Sequence, residues 1–394
     1  MFDMSAQSGA FLTVLSWLLV TPFLLSLSYL VIELAAGLYP TRVRGGVEDA
    51  LENLAILIPA HNEQHVIGDT IGELKRTASF ARIVVVADNC SDRTAEVAKS
   101  AGADVIERFD DECRGKGYAL ACGREYLANS APHAVIVLDA DCRISGSSAK
   151  ALGAKAIASG QAVQAINLFA PDRSLSAQLQ ISNFAMLVKN RFRMRGMFRL
   201  GGSAALLGTG MAFPWHKFIA LPLATGDAAE DIQMTIQIIS SGETILFPEV
   251  AEVWSDAETV QETAGQRKRW EHGFLGHALR QAAPTVLKGI LSASPPLVAL
   301  GLHLLVPPLA LLLILSGLAS IASGLLVFGG ASILPLATLL TLITVTAILL
   351  AFLWATKGRE YLSLRAVASI PFYLLWKVPI YLSFVTKRQR NWDD

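Results

Sequence analysis

Hydrophobic and polar positions divide the chain into two apolar ends and an alternating middle. Phe11 to Ile32, FLTVLSWLLVTPFLLSLSYLVI, carries no charge and exceeds the ~20 residues needed to cross a bilayer. A second apolar region runs from Leu297 to Ala355, split by Gly329-Gly330. It predicts two spans, over 297–328 and 333–355, the first kinked at Pro307-Pro308. A third stretch, SIPFYLLWKVPIYLSFV (Ser369 to Val385), holds Lys377 and Pro379 near its centre.

Between Val47 and Pro284, short apolar runs alternate with amphipathic stretches. LAILIP, RIVVVAD, DVIER and AVIVLD read as buried strands; QHVIGDTIGELKRT, SDRTAEVAKSAG and GKGYALACGREYLAN read as the helices between them. Ser91 is placed to cap the second helix and Gly102 to end it. Strand and helix alternate at βαβ spacing, which predicts an α/β fold with a mostly parallel, Rossmann-like sheet. No GxGxxG follows the first strand, so the dinucleotide version is unsupported.

Composition agrees with membrane segments: 53% of the 394 residues are apolar and 17% charged. Lys plus Arg equals Asp plus Glu, so the charge gives no sign of a nucleic-acid partner. Cys90, Cys113, Cys122 and Cys142 form no CxxC pair, which suits a reducing compartment and argues against a cysteine zinc site. The first segment lacks a basic lead-in and a cleavage-like end, so it reads as a retained anchor. Arg42 and Arg44 follow it and place its C-terminal end in the cytoplasm. Basic residues flank the third apolar stretch on both sides. An in-plane or re-entrant helix over 366–386 keeps both clusters inside and is favoured over a fourth span. The expected domains are an anchor (1–44), a cytoplasmic catalytic domain (45–285) and a C-terminal membrane region (286–394), in a bacterial inner membrane protein.

In an open parallel sheet, ligands bind beyond the carboxyl ends of the strands. Those ends are polar here: PAHNE (Pro59 to Glu63), ADNCSD with Asp88 and Asp92, and DAD with Asp139 and Asp141. Carboxylates brought to one rim repel unless a cation or ligand donors compensate. Alternate residues of an extended segment point the same way, so Asp139 and Asp141 can address one locus. Hard oxygen ligands suit Mg²⁺ or Mn²⁺. An isolated D-x-D usually caps a turn; its place after a buried strand, beside two other acidic strand ends, favours the cation site. Lys116, in RGKGYAL at a helix start, suits an anion or an acidic rim.

Further on come AALLGTGMAFPW, with Gly208, Thr209 and Gly210, then Glu230-Asp231 opening a helix, then QRKRWEHGF. Each has a plain alternative: a turn, dipole-favoured caps, and an amphipathic surface helix. ISNFAMLVKNRFRMRGMFR (Ile181 to Arg199) has a stripe of Phe184, Val188 and Phe192 opposite Lys189 and Arg193. It fits a helix near lipid headgroups, or equally a soluble helix. Arg191 and Arg195 fall on the apolar stripe, to snorkel or to bind an acceptor phosphate. Trp215, Trp254, His216 and His272 are candidates to read sugars or to pack.

The motif order PAHNE, ADNCSD, DAD, GTG, ED and QRKRW resembles the inverting, membrane-bound glycosyltransferases of family 2. These have a GT-A fold and include cellulose, chitin and hyaluronan synthases and ceramide glucosyltransferases. The resemblance covers Leu54 to Phe274. It implies a GT-A catalytic domain flanked by transmembrane helices. It also implies that Ala60, Glu63, Asp88 and Lys116 line a nucleotide site and that Asp139 and Asp141 hold the diphosphate through Mg²⁺ or Mn²⁺. Asp231 would be the general base, with Glu230 beside it. Gln266, Arg269 and Trp270 would face the diphosphate or acceptor, and Gly208, Thr209 and Gly210 would contact the acceptor.

An acceptor hydroxyl would then attack the anomeric carbon once, so an α-linked nucleotide sugar, UDP-linked by family expectation, gives a β-linked product. Three or four spans look too few to enclose a polymer channel. The expected reaction is transfer of one sugar to a lipid-linked acceptor, a polyprenyl-diphosphate oligosaccharide in exopolysaccharide assembly. A ceramide-type glycolipid acceptor and a small processive synthase are the alternatives. Outside catalysis the alternative is a membrane binding or transport protein, but the spans offer little polar beyond His303.

Overall fold

The computed structural model describes residues 4–40, 53–227, 229–255 and 260–386, without side chains for 4–6, 260–269 and 385–386. Helix α1 (Met4–Gly37) is followed by β1 (Leu54–Ala60), α2 (Ile67–Thr77), β2 (Ala81–Asp88), α3 (Thr94–Ser100), β3 (Asp104–Arg108), α4 (Lys116–Ala128) and β4 (Ala134–Val137). A turn leads to β5 (Cys142–Ile144), α5 (Gly146–Ser159), β6 (Ala162–Gln164) and β7 (Ile166–Phe169). Then come α6 (Ala177–Leu187), a π-helical stretch (Val188–Arg193) and α7 (Met194–Gly201). The domain continues through β8 (Met211–Pro214), α8 (Trp215–Phe218), α9 (Glu230–Ser240), β9 (Ile245–Leu246) and β10 (Glu252–Ser255). The long α10 (Val260–Leu291) precedes α11 (Pro295–Leu305), α12 (Leu309–Phe328) and α13 (Leu334–Leu353), the last extended by a π turn (Trp354–Gly358). The final helices are α14 (Leu364–Ala368) and α15 (Ile370–Thr386).

The main sheet has the order β3-β2-β1-β4-β8-β6-β9. β1 to β4 pair in parallel and β8 is antiparallel to both its neighbours. A small second sheet, β5-β10-β7, flanks it. This is the α/β, mostly parallel GT-A arrangement expected from the sequence. β1 is buried throughout because both sheet faces are covered. Its even residues, Leu54, Ile56 and Ile58, join a core with Ile67, Ile71 and Leu74 of α2. These α2 residues recur at helical spacing. Its odd residues, Ala55 and Leu57, belong to the opposite core. That core is continuous with Leu27 and Leu34 of α1, Phe192 of the π stretch, Leu300 of α11 and Leu312 of α12. The main sheet and the apolar helices thus share one packed interior.

Among the described residues, three helices are long and apolar enough to cross a membrane: Gln7–Gly37, Leu309–Phe328 and Leu334–Gly358. The span expected over 297–328 is broken, not kinked, at Pro307-Pro308: α11 ends at Leu305 and a separate α12 begins at Leu309. Two consecutive prolines remove two amide donors and fix the preceding residue out of the helical region. α15 is shorter than those three. Its Lys377 is buried and ion-paired to Glu271 of α10 at 2.6 Å.

Two local expectations fail. Ser91 does not cap α3, which begins three residues later with Arg93 at its cap position and no side-chain cap bond; the Asp92 carboxylate instead ties the preceding loop, accepting from the Thr94 amide at 3.0 Å and the Gln64 amide at 3.1 Å. Asp92 is therefore committed to the loop and does not add a free carboxylate to the rim. The segment 181–199 is not a surface helix. Phe184, Val188, Phe192, Arg193 and Arg195 are all buried, because α1 packs on the π stretch and α7 and the turn at Gly358 packs on Phe184, where solvent or lipid was expected. The backbones meet so closely that a Cβ on Gly196 would lie 1.9 Å from the Glu33 carbonyl oxygen. Arg191 pairs with Glu252, Arg193 with Glu33 at 2.5 Å, and Arg195 with Glu249 at 2.5 Å. The charges on the stripe neither snorkel nor stand free.

Candidate active site

The functional rim forms where β1, β4 and their loops end. Asp139 and Asp141 lie in a turn between β4 and β5, closed by the Cys142 amide donating to the Asp139 carbonyl at 3.1 Å. The segment is not extended as the sequence reading assumed; the turn itself brings the two carboxylates together. Oxygen atoms of Asp139 and Asp141 and the Cys142 sulfur lie within 4.8 Å of one another. The Asp139 amide donates to Thr209 Oγ1 at 3.0 Å, so Thr209 holds the turn in place.

Lys116, the first residue of α4, enters this rim from the side. Its Nζ hydrogen-bonds Asp139, donates to the Gly208 carbonyl at 3.0 Å and lies 3.9 Å from Glu230. Glu230 and Asp231 open α9, where the helix dipole favours negative charge. Gly208 has φ +82, and a Cβ built there would sit 3.6 Å from Lys116 Nζ and 3.8 Å from the Asp231 carboxylate. The glycine is required by its left-handed backbone and leaves the space between base candidate and ammonium open.

Burial governs the electrostatics. It raises the Glu230 carboxyl to about 7, helped by Asp231 and opposed by Lys116. Burial also raises Asp231, against the pull of Lys189 and Lys116. Asp141 rises through burial and the neighbouring Asp139 charge. Lys116 is drawn down by burial but is held above its ordinary value by Asp139, Glu230 and Asp231. Burial and the charges of Asp141 and Asp139 push the Cys142 thiol well up. Cys142 is therefore a neutral thiol, hydrogen-bonded with Ser255 at 3.1 Å, and a poor ligand for a hard ion. The two aspartates fit Mg²⁺ or Mn²⁺: both offer oxygen, and Asp141 lacks a cationic partner among the described residues.

These groups line one cavity of about 740 Å³. His61, Glu63, Lys116, Asp139, Asp141, Glu230 and Asp231 form its polar end. The same cavity continues past Trp270 and Phe274 to Pro307, Leu313, Ile343, Leu350 and Tyr373, on helices α12, α13 and α15 and the break before α12. Gly208 and Thr209 line it; Gly210 and Ala60 do not, both being packed against strands. Asp88 is at the end of β2 as expected but is buried against Arg108 at 2.6 Å and stands outside the cavity wall. Gln266 and Arg269 are on α10, and their side chains lie outside the described residues. Trp215, Trp254, His216 and His272 do not line the cavity; His272 is buried, near the Ile380 carbonyl and the ring of Phe384.

Sequence reading passed over two features. Lys189 lines the cavity and lies over the ring of Phe274 at 5.6 Å. Burial pulls its ammonium down and Asp231 draws it back up. Asp227, just before α9, pairs with His277 of α10 at 3.0 Å. Burial raises the Asp227 carboxyl, but His277 and the Ala229 amide outweigh it and hold it below the usual range. The spacing of 50 residues between these partners left no local signal.

Comparison with known proteins agrees with this geometry. The family model "Glycosyl transferase family 2" matches residues 55–212. Protein RfbJ of Shigella flexneri is 33% identical over 95 residues, 21% of this chain and 74% of that protein. A dolichyl-phosphate hexose transferase of Haloferax volcanii is 32% identical over 95 residues, 24% of this chain but only 38% of that protein. Among solved structures, the mannosyltransferase PcManGT of Pyrobaculum calidifontis, in complex with GDP-Man and Mn²⁺, superposes with a TM-score of 0.57 at 16% identity. That likeness, which covers 96% of this chain and 100% of the other, is one of fold. Fold, motif order and sequence likeness agree that the chain belongs to glycosyl transferase family 2.

Proposed function

We propose that the protein is a membrane-bound inverting glycosyltransferase that moves one sugar from a nucleotide-sugar donor to a lipid-linked acceptor. The observation that carries this reading is the continuity of one cavity from the acidic turn to the apolar helices. A water-soluble acceptor needs no such extension. The matched hexose transferase is named for a dolichyl-phosphate substrate, which supports a lipid acceptor here too.

The donor lies against the strand ends, with its nucleotide toward Glu63, with Ala60 and Asp88 supporting that rim from behind the cavity wall, and with its diphosphate toward Asp139, Asp141 and Lys116. Asp139 and Asp141 would hold a divalent cation, Mg²⁺ or Mn²⁺, which when bound supplies positive charge to the diphosphate. Asp231 accepts the proton of the acceptor hydroxyl. Its raised pKa makes it a stronger base than an exposed aspartate. The acceptor oxygen bonds to the anomeric carbon as the bond to the diphosphate oxygen breaks, and the configuration inverts. Lys116 stabilises the negative charge left on the diphosphate. Trp270, Gly208 and Thr209 border the acceptor's path. Gln266 and Arg269 keep the diphosphate and acceptor roles that the family resemblance implies. The polyprenyl-diphosphate oligosaccharide of exopolysaccharide assembly at the bacterial inner membrane is the favoured acceptor.

Radiolabelled nucleotide sugars incubated with the full chain and native lipid extract test this. One labelled sugar on extractable lipid is expected. A long polymer would instead establish a processive synthase, and no transfer from any nucleotide sugar would end the reading.

A further inference from the structure

Four basic side chains project from the segment spanning the π stretch and the start of α7, and three are neutralised one to one. Arg191 has Glu252, Arg193 has Glu33, and Arg195 has Glu249. Lys189 has no carboxylate within ion-pair distance among the described residues, although it is half-buried in the same helical segment and lines the cavity. Four residues on, Arg193 contacts His303 of α11, where the apolar arm begins.

A half-buried ammonium in a cavity wall, with Asp231 and Glu271 of the same cavity near but not ion-paired to it, gains a direct contact when a ligand brings an anion. Here the anion must reach Lys189 through a cavity whose continuation is lined by Pro307, Leu313, Ile343, Leu350, Tyr373 and Leu374. A molecule that satisfies both ends carries its negative charge and its hydrocarbon together.

We infer that Lys189 binds the phosphate headgroup of an amphiphilic acceptor whose hydrocarbon chain lies in the apolar arm between α12, α13 and α15. This rests on the glycosyltransferase reading and adds to it the anchor point of the acceptor. Lys189 and Asp231 line the same cavity, so fixing the headgroup there holds the acceptor's reactive end near the base. A free phosphate would meet Lys189 alone; a lipid phosphate also fills the arm.

The test uses the full chain in phosphatidylcholine nanodiscs, with farnesyl phosphate, farnesol and inorganic phosphate as probes of binding in the absence of donor. Wild type is expected to bind farnesyl phosphate about tenfold or more tightly than either other probe, the effect of one charge-assisted contact joined to a buried chain. Lys189→Met should bind farnesyl phosphate and farnesol equally, and Lys189→Arg should keep the preference. UDP and GDP binding with Mn²⁺, measured on each preparation, reports that the catalytic domain is folded. It also separates failure of the donor site from failure of the acceptor anchor. Lys189→Gln serves where the methionine variant does not pass that check. Equal binding of the phosphate and the alcohol by wild type, or an undiminished preference in Lys189→Met, would overturn the inference. Inorganic phosphate bound as tightly as farnesyl phosphate would overturn the amphiphile.

Discussion

Two buried charge clusters in this molecule are built on opposite principles. Along the helical segment 188–195, Arg191, Arg193 and Arg195 each meet one glutamate from another element. At the strand-end rim, Asp139, Asp141, Glu230 and Asp231 gather around Lys116. The first cluster is balanced and joins α1 and β10 to the domain. The second carries more negative charge than its protein partners neutralise. Balanced buried pairs fix an arrangement; an unbalanced set is a place for something that arrives charged.

The largest effect expected is on the unbalanced side. Asp231→Asn keeps the shape and removes the base. Sugar transfer to lipid should fall by ~10²–10⁴-fold, while binding of the nucleotide diphosphate, followed by calorimetry, should change little. Full turnover in this variant would remove Asp231 from the role.

The balanced side should respond in stability, not chemistry. Glu33 has no exposed surface and accepts from Arg193 at 2.5 Å. Glu33→Gln leaves the guanidinium buried without its charge partner, which costs about 3–5 kcal/mol. The melting temperature in detergent should drop accordingly. Replacing both partners, Glu33→Met with Arg193→Met, should recover only part of the loss: it leaves no guanidinium stranded, but buried His303 loses the Glu33 carboxylate it bonds at 2.5 Å. A single variant that melts like wild type would show that this pair does not hold α1.

The same contrast explains what could be read from the sequence. β1 to β4 announced themselves as buried runs with polar ends, and the acidic rim followed because ligands gather at such ends. Lys116, Asp139, Asp141, Glu230 and Asp231 were each found from local motifs, and they converge on one cavity. Asp88 was also found, but its partner Arg108 lies on a neighbouring strand and is invisible to motif reading. Segment 181–199 was misjudged for the same reason. An amphipathic pattern reports that a face is covered, not whether lipid or α1 covers it. Glu33, Glu249 and Glu252 lie 160, 54 and 61 residues from their arginines, so nothing in the local pattern could announce the pairing.

The finest distinction between the two clusters is their response to pH. Glu230 titrates at about 7 in the folded protein against an ordinary value of 4.5. Between those values the native state keeps a proton that the unfolded chain has released. Unfolding free energy changes with pH in proportion to protons bound in the unfolded state minus those in the native state. That difference is negative here, so stability should fall as pH rises from about 4.5 to about 7 and level off above. Asp231 and Asp141 are raised as well and add in the same sense. Asp227 is held low, so its opposite contribution is lost only as pH falls through the acid range. Thermal melts in chelator across this window should show the slope, and Glu230→Gln should flatten part of it. Added Mn²⁺ should reverse it, because a cation at Asp139 and Asp141 is favoured by ionised carboxylates. A slope unchanged by both treatments would mean that the excess negative charge at the rim is not what sets the protein's pH response.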